Sequence, residues 1–351
     1  MAKSHLTLAG FALGISNCIY WTDAAAQSAP GFDFYGSLRT QLETVSPDHQ
    51  NRLNSYTSLR DAYSRVGVKV EYPLNTELTL TGQIEIPFDS ANFRMRDPYD
   101  QGDASRPHGQ RLRIAQLGLR GNFGSIAYGQ QWMPYYNAIA APVDMFSSYY
   151  SGFATYTVFR VAETIAYTAP EFNGFSLAAA YAGSGGNMRS TSRIDERRWQ
   201  VATTYAFGNT RLAAGVDDRG NASYGRDRLY GLSASHQTDK LYLAVKYEIF
   251  DTGNRQRGGF STNGNHSINL FGSYALGKSM LKLMLAKVKN YGDYIAHLGI
   301  DHQLSDDYKI FAEYYWEAET AVLTARRRGL SDFDASIGGG RAVAVGVRYD
   351  F

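Results

Sequence analysis

Hydrophobic and polar residues alternate one for one along most of this chain. In the last eleven residues Val343, Val345, Val347, Tyr349 and Phe351 fall on one side, and Ala342, Ala344, Gly346, Arg348 and Asp350 on the other. Residues 241–250 repeat the pattern: Leu241, Leu243, Val245, Tyr247 and Ile249 oppose Tyr242, Ala244, Lys246, Glu248 and Phe250. In 63–72, Val66, Val68, Val70 and Tyr72 oppose Arg65, Lys69 and Glu71. In 32–42, Phe32, Phe34, Leu38 and Leu42 oppose Asp33, Tyr35, Ser37, Arg39 and Gln41. A period of two is the signature of a β-strand, not of a helix.

About sixteen such segments can be read, each roughly 8–12 residues long, the length of a tilted strand crossing a membrane. They are 31–43, 62–72, 77–87, 111–121, 124–131, 160–168, 174–182, 197–207, 210–217, 227–236, 240–250, 265–275, 279–288, 293–303, 307–318 and 341–351. Short connections at 73–76, 121–124, 207–210, 237–239, 276–278 and 304–306 alternate with longer ones near 44–61, 88–110, 132–159, 183–196, 218–226, 251–264 and 319–340. Residues 289–292 are short where a long connection is due. Alternating short turns and long loops predict an up-and-down barrel whose two ends differ.

A soluble β-sandwich would turn its apolar face inward and its polar face to water. A membrane barrel does the reverse, with lipid outside and an aqueous lumen inside. Three features favour the barrel. The strands are many, long and evenly spaced. Aromatic residues cluster at strand ends, as at Tyr349/Phe351, Tyr72 and Tyr314/Trp316, where interfacial girdles sit. Arg, Lys and Glu occupy mid-strand positions of the other face, which a dry core would not tolerate unpaired. Closure also removes the edges of so large a sheet. Composition agrees, with abundant Tyr and Gly and scarce Pro. The net charge of +2 gives no nucleic-acid footprint. No internal apolar run reaches the ~18 residues of a helical span.

The first 26 residues read as a secretory signal: MAKSH is a short basic start, LTLAGFALGISNCIYW an apolar run, and Ala24-Ala25-Ala26 an A-x-A site. Cys18, the one cysteine, lies inside it. Asn17 before it fits lipoprotein processing poorly. Residues 27–351 then form one barrel domain with no disulfide framework.

The chain resembles the trimeric general porins of Gram-negative outer membranes over essentially its whole mature length. The resemblance is carried by FYGSLR, YSRVGVKVEYPL at 63–74, LTGQIEIPF at 80–88, RLRIAQLGLRGNFGSIAYGQQ at 111–131, RVAETIAYTAPEFNGFSLAAAYA at 160–182 and the terminal VGVRYDF. It implies a sixteen-stranded antiparallel transmembrane β-barrel, a homotrimer, and a water-filled channel for passive diffusion of small hydrophilic solutes. It also implies that the third long loop, about 132–159, folds into the barrel and narrows it. The length and aromatic content of that loop independently suggest a packed, functional segment. The terminal strand, with Tyr349 and Phe351, would be read by the barrel assembly machinery, and Phe351 also suits an interfacial anchor.

Matched position by position, the resemblance implies a basic cluster of Arg65, Arg113 and Arg160. Arg39 stands two residues after Ser37, where relatives often carry a base. Glu85 matches an inward acid, and Asp144 is the acid present on the loop, where relatives usually have several. Tyr63, Gln83 and Lys69 are read as further lining residues. Bases on one wall facing acids on the other would set a transverse field, and the excess of arginines predicts a modest anion preference. The blander reading is that some arginines only hold the loop and that Asp144 is a turn residue after Pro142. The loop aromatics Tyr135, Tyr136, Tyr149, Tyr150, Phe153 and Tyr156 could stack flat solutes; anchoring of the loop to the wall is the favoured reading. Arg326-Arg327-Arg328 reads as a charged loop or as a contact for lipopolysaccharide phosphates. An enzyme is not expected: the histidines are scattered and no Gly-x-Ser-x-Gly or His-Glu-x-x-His motif occurs. No cofactor or metal is called for. A substrate-selective porin and a non-conducting adhesive barrel are the alternatives.

Overall fold

A computed structural model describes residues 31–49, 54–95, 112–150, 154–183, 197–222, 224–290, 292–318 and 338–351. The expected export segment 1–26, Phe153 and Arg326-Arg327-Arg328 lie outside the described residues. The strands are β1 (Gly31–Pro47), β2 (Tyr56–Asp61), β3 (Arg65–Pro73), β4 (Leu78–Pro87), β5 (Ile114–Gly121) and β6 (Gly124–Trp132). After a long loop come β7 (Arg160–Thr168), β8 (Phe175–Ala182), β9 (Arg198–Phe207), β10 (Thr210–Ala222), β11 (Gly225–Gln237) and β12 (Leu241–Thr252). The last five are β13 (His266–Leu276), β14 (Ser279–Val288), β15 (Gly292–Gln303), β16 (Tyr308–Glu317) and β17 (Gly340–Asp350). Neighbours pair antiparallel throughout, and β1 pairs with β17 to close the sheet.

The barrel has sixteen staves, because β2 and β3 are two pieces of one. Both pair with β1, β3 along its first half and β2 along its second. The break falls at Ala62–Ser64. There the Asp61 carboxylate accepts the backbone N–H of Tyr63 at 2.8 Å, and Tyr63 takes a φ of 68°, a costly conformation for a residue with a side chain.

Every predicted segment is a strand, with boundaries moved by a few residues. Two predicted long loops are corrected. Residues 44–61 are largely strand, with β1 running to Pro47 and β2 starting at Tyr56, and within 218–226 the ladder continues to the Ala222–Gly225 pair. The reason is common to both. Beyond the lipid a strand meets water on both faces, so its ladder continues after the apolar alternation has stopped. The short link between β14 and β15 is as predicted.

The two faces separate as the alternation requires. Val345 is 54% exposed on the outside, and its neighbour Ala344 is 1% exposed on the inside. In the hydrocarbon every strand N–H and C=O must find a partner within the wall, and closure provides it. Aromatic side chains gather on the outer surface at the short-turn end: Tyr205 stacks on Phe207 at 5.5 Å, and Tyr349 on Phe351 at 5.4 Å. Phe351 still belongs to the ladder, exchanging both hydrogen bonds with Gly36 at 2.8 and 3.2 Å. Its ring lies over Gly36, where a Cβ would come within 2.3 Å of it.

Candidate functional site

The chain leaves β6 at Trp132 and enters the barrel. Met133 donates its N–H to the Phe159 carbonyl at 2.9 Å, so the loop starts and ends at one point of the wall. Small residues let it coil tightly: Tyr136–Ala140 form one π-helical turn, and Ala141–Val143, with Pro142, form a 3-10 turn. The loop then follows the inner wall. Tyr135 donates its N–H to Gln200 of β9 at 3.0 Å, and Ser233 of β11 donates to the Ala138 carbonyl at 2.7 Å. The Tyr135 ring fits against Gly231, where an added Cβ would lie 2.2 Å from its Oη. Tyr242 of β12 donates to the Pro142 carbonyl at 2.9 Å.

The middle of the loop is clamped by β14–β16. Glu313 accepts the backbone N–H of Ser147 at 2.7 Å and of Ser148 at 3.1 Å. Phe146 stacks on His297 with ring centroids 3.5 Å apart, and His297 Nε2 lies 3.0 Å from Glu313. Lys282 bridges Asp301 at 2.8 Å and Glu313 at 3.5 Å. Further on, Tyr149 stacks on Tyr63 at 5.4 Å and Tyr150 on Tyr315 at 4.8 Å. The return limb is held by β12: Glu248 accepts Thr155 Oγ1 at 2.8 Å and the Tyr156 N–H at 3.2 Å, while Lys246 donates to the Ala154 carbonyl at 2.7 Å. The predicted loop tyrosines Tyr135, Tyr136, Tyr149, Tyr150 and Tyr156 are all buried in these contacts. Their rings anchor the loop and do not form an exposed track.

Four of the predicted charged residues converge on another arc of the wall: Arg39 on β1, Arg65 on β3, Glu85 on β4 and Arg113 just before β5. Arg113 donates to Glu85 at 2.7 Å, and Arg65 lies 3.6 Å from the same carboxylate. Tyr35 organises the row beneath: it donates to Glu85 at 3.1 Å, accepts from Gln83 at 2.6 Å, and carries Lys69 over its ring at 4.8 Å. Arg39 lies within electrostatic reach of Arg65 and Arg113. Glu85 therefore stands among the arginines and not across from them, which corrects the expected arrangement of opposing walls. Its neighbours on β3 and β5 bring both guanidinium groups to it. Arg160, at the start of β7, sits over the Trp132 ring at 4.7 Å and is felt by Glu85. Asp144 accepts a 2.6 Å hydrogen bond from Tyr136 on the loop. Burial, with Asp144 beside it, holds the Tyr136 phenol well above its ordinary pKa, so it remains a donor.

Sequence reasoning missed two groups. The first is the set of wall residues that hold the loop: Glu248, Lys246, Lys282, His297, Asp301 and Glu313. The second is Arg348 and Lys309, which extend the basic arc. The alternation of the terminal strand had already turned Arg348 inward; Lys309 carries the same signal on β16.

A family model described as Gram-negative porin matches residues 22–321. The chain belongs to the Gram-negative porin family. Among its relatives, a "Monosaccharide porin" of Halomonas sp is 27% identical over 249 residues, covering 64% of each chain. The match thus spans a little under two thirds of that relative's length. "Outer membrane porin F" of Escherichia coli K12 is 26% identical over 331 residues, covering 86% of this chain and 87% of that one. An anion-selective porin from Comamonas acidovorans superposes with a TM-score of 0.69 at 19% identity, covering 92% of this chain and all of that one; this likeness is one of fold. The porin is placed in the Gram-negative outer membrane.

Proposed function

We propose that this porin is a passive diffusion channel for small hydrophilic solutes and ions, with a modest preference for anions. The observation that carries the preference is the arc of Arg39, Arg65 and Arg113, extended by Arg348, against which Glu85 and Asp350 are the nearby carboxylates. A cation-rich arc bordering a narrow aqueous path raises the local anion concentration. Arg160, Lys69, Gln83, Tyr63 and the loop acid Asp144 complete the constriction. Small sugars, after which one relative is named, fall in the same solute class. The channel works as a homotrimer, in contact with lipopolysaccharide, after export by a cleaved signal of residues 1–26 and insertion by the barrel assembly machinery through Tyr349 and Phe351; residues 27–351 form the single barrel domain. The tyrosine-track reading is disfavoured because the tyrosines are buried.

The test is conductance in a planar bilayer under a KCl gradient. Stepwise openings with a reversal potential of anionic sign support the proposal. A cationic sign removes the charge reading and keeps the channel. A folded barrel that never conducts removes the channel and favours an adhesive or structural role.

A further inference from the structure

The basic arc contains one arrangement that barrel stability alone disfavours. In the ladder Arg39 of β1 lies directly opposite Arg348 of β17, and Arg348 lies directly opposite Lys309 of β16. All three occupy the inner face. Like charges directly opposite one another destabilise a sheet. Two carboxylates border the row, and each is already engaged. Asp350 accepts from Arg348 Nε at 2.6 and 2.9 Å. Asp301 accepts from Lys309 at 2.6 Å and is also held by Lys282 at 2.8 Å. Arg39 is only 8% exposed, and its Nε donates to the neutral hydroxyl of Ser37 at 2.8 Å. The terminal Nη groups of Arg39 and Arg348 donate to no acceptor among the described residues.

We propose that Arg39 and Arg348 form a discrete transit site for a small carboxylate, the planar anion being gripped between their terminal Nη groups. This deepens the anion-preferring reading and rests on it. The chemistry selects the ligand. A guanidinium edge presents paired, parallel N–H groups that match the two oxygens of a carboxylate, which a spherical halide cannot use. With Ser37 and Asp350 occupying the Nε positions, the terminal groups are oriented by the protein before the anion arrives. Lys309 adds charge at the side without adding a fork. The site adjoins the Arg65–Glu85–Arg113 cluster, where one protein carboxylate lies between two guanidinium groups.

The test is the single-channel current in KCl titrated with potassium acetate, in the wild type and in the charge-preserving variants Arg39→Lys and Arg348→Lys. Reversal potential in KCl alone is recorded for each. In the wild type, acetate reduces the chloride current saturably, as a resident anion must. Each lysine variant raises the half-saturating acetate concentration about tenfold, the scale of one lost charge-assisted hydrogen bond. A wild-type current that falls without saturation, or a half-saturating concentration unmoved in both variants, overturns the carboxylate site and leaves the anion preference standing. A cationic reversal potential in wild-type KCl overturns the underlying reading directly.

Discussion

The substitution Glu313→Ala isolates what holds the loop in the lumen. Glu313 is buried and takes two backbone N–H groups from the loop, Ser147 at 2.7 Å and Ser148 at 3.1 Å. Hydrogen bonds to a charged group contribute about 1.5–3 kcal/mol each. Lys282 keeps its contact with Asp301 at 2.8 Å, so it is not left as an isolated charge. Removing a carboxylate also removes its own desolvation cost, which offsets part of the loss. The net expectation is that the docked loop loses about 3 kcal/mol, equivalent to roughly two decades in its opening equilibrium. Hydrogen–deuterium exchange in detergent micelles reads this locally. Protection of the Ser147 and Ser148 amides should fall by about a hundredfold, with strand amides unchanged because their ladders do not involve Glu313. Glu313→Gln, which retains one acceptor oxygen, should fall between. Single-channel recordings of the alanine variant should show added current noise as the loop leaves the wall. Loop amides as protected as in the wild type, in a variant whose strands remain protected, would refute the clamp.

Three further outcomes are expected. Val345→Arg puts a charge on the lipid face and should cost about 2–4 kcal/mol if the site is near mid-bilayer, measured by reversible denaturant unfolding in lipid vesicles; an unchanged midpoint would contradict the outward assignment. Gly231→Ala places a Cβ 2.2 Å from Tyr135 Oη and 2.7 Å from Ile139 Cγ2; overpacking of about 1–3 kcal/mol should loosen the start of the loop, seen as raised exchange at residues 135–140. Phe351→Ala removes the ring that covers Gly36 at the barrel seam, and folding into vesicles, followed by heat-modifiable gel mobility, should slow; wild-type folding kinetics would deny the terminal ring a part in closure.

Lipid explains which parts of this fold were legible. It forces an apolar side chain at every second position, so strand phase could be read wherever the wall meets hydrocarbon. Past the hydrocarbon the constraint lapses, and Tyr56–Asp61 and Asp218–Ala222 gave no alternation to read. Inner-face identity was legible in the same way, and it turned Arg39, Arg65 and Arg348 toward the lumen. Partnership was not. Glu313 and Ser147 meet across 166 positions of sequence, and Glu85 joins Arg113 through strand register, which alternation does not specify. The shortage of acids on the loop was visible, but its meaning required the path of the loop.

That path accounts for the balance of charge. Ser147, Ser148 and Tyr156 turn backbone N–H groups toward the wall, and buried N–H groups need acceptors. The wall answers with Glu313 and Glu248, and the charge of these acids is met locally by Lys282 at 3.5 Å and Lys246 at 2.6 Å. Glu313 and Glu248 are therefore engaged in structure and neutralised where they stand. Among the described residues, no loop N–H donates to an acid of β3–β5. Arg65 and Arg113 there meet Glu85, while the terminal Nη groups of Arg39 and Arg348 donate to no acceptor among the described residues. A loop that carried its own carboxylates could set acid against base across the pore. A loop that takes its main acceptors from the wall leaves the positive arc as the stronger field, and that is the physical basis of the proposed preference for anions.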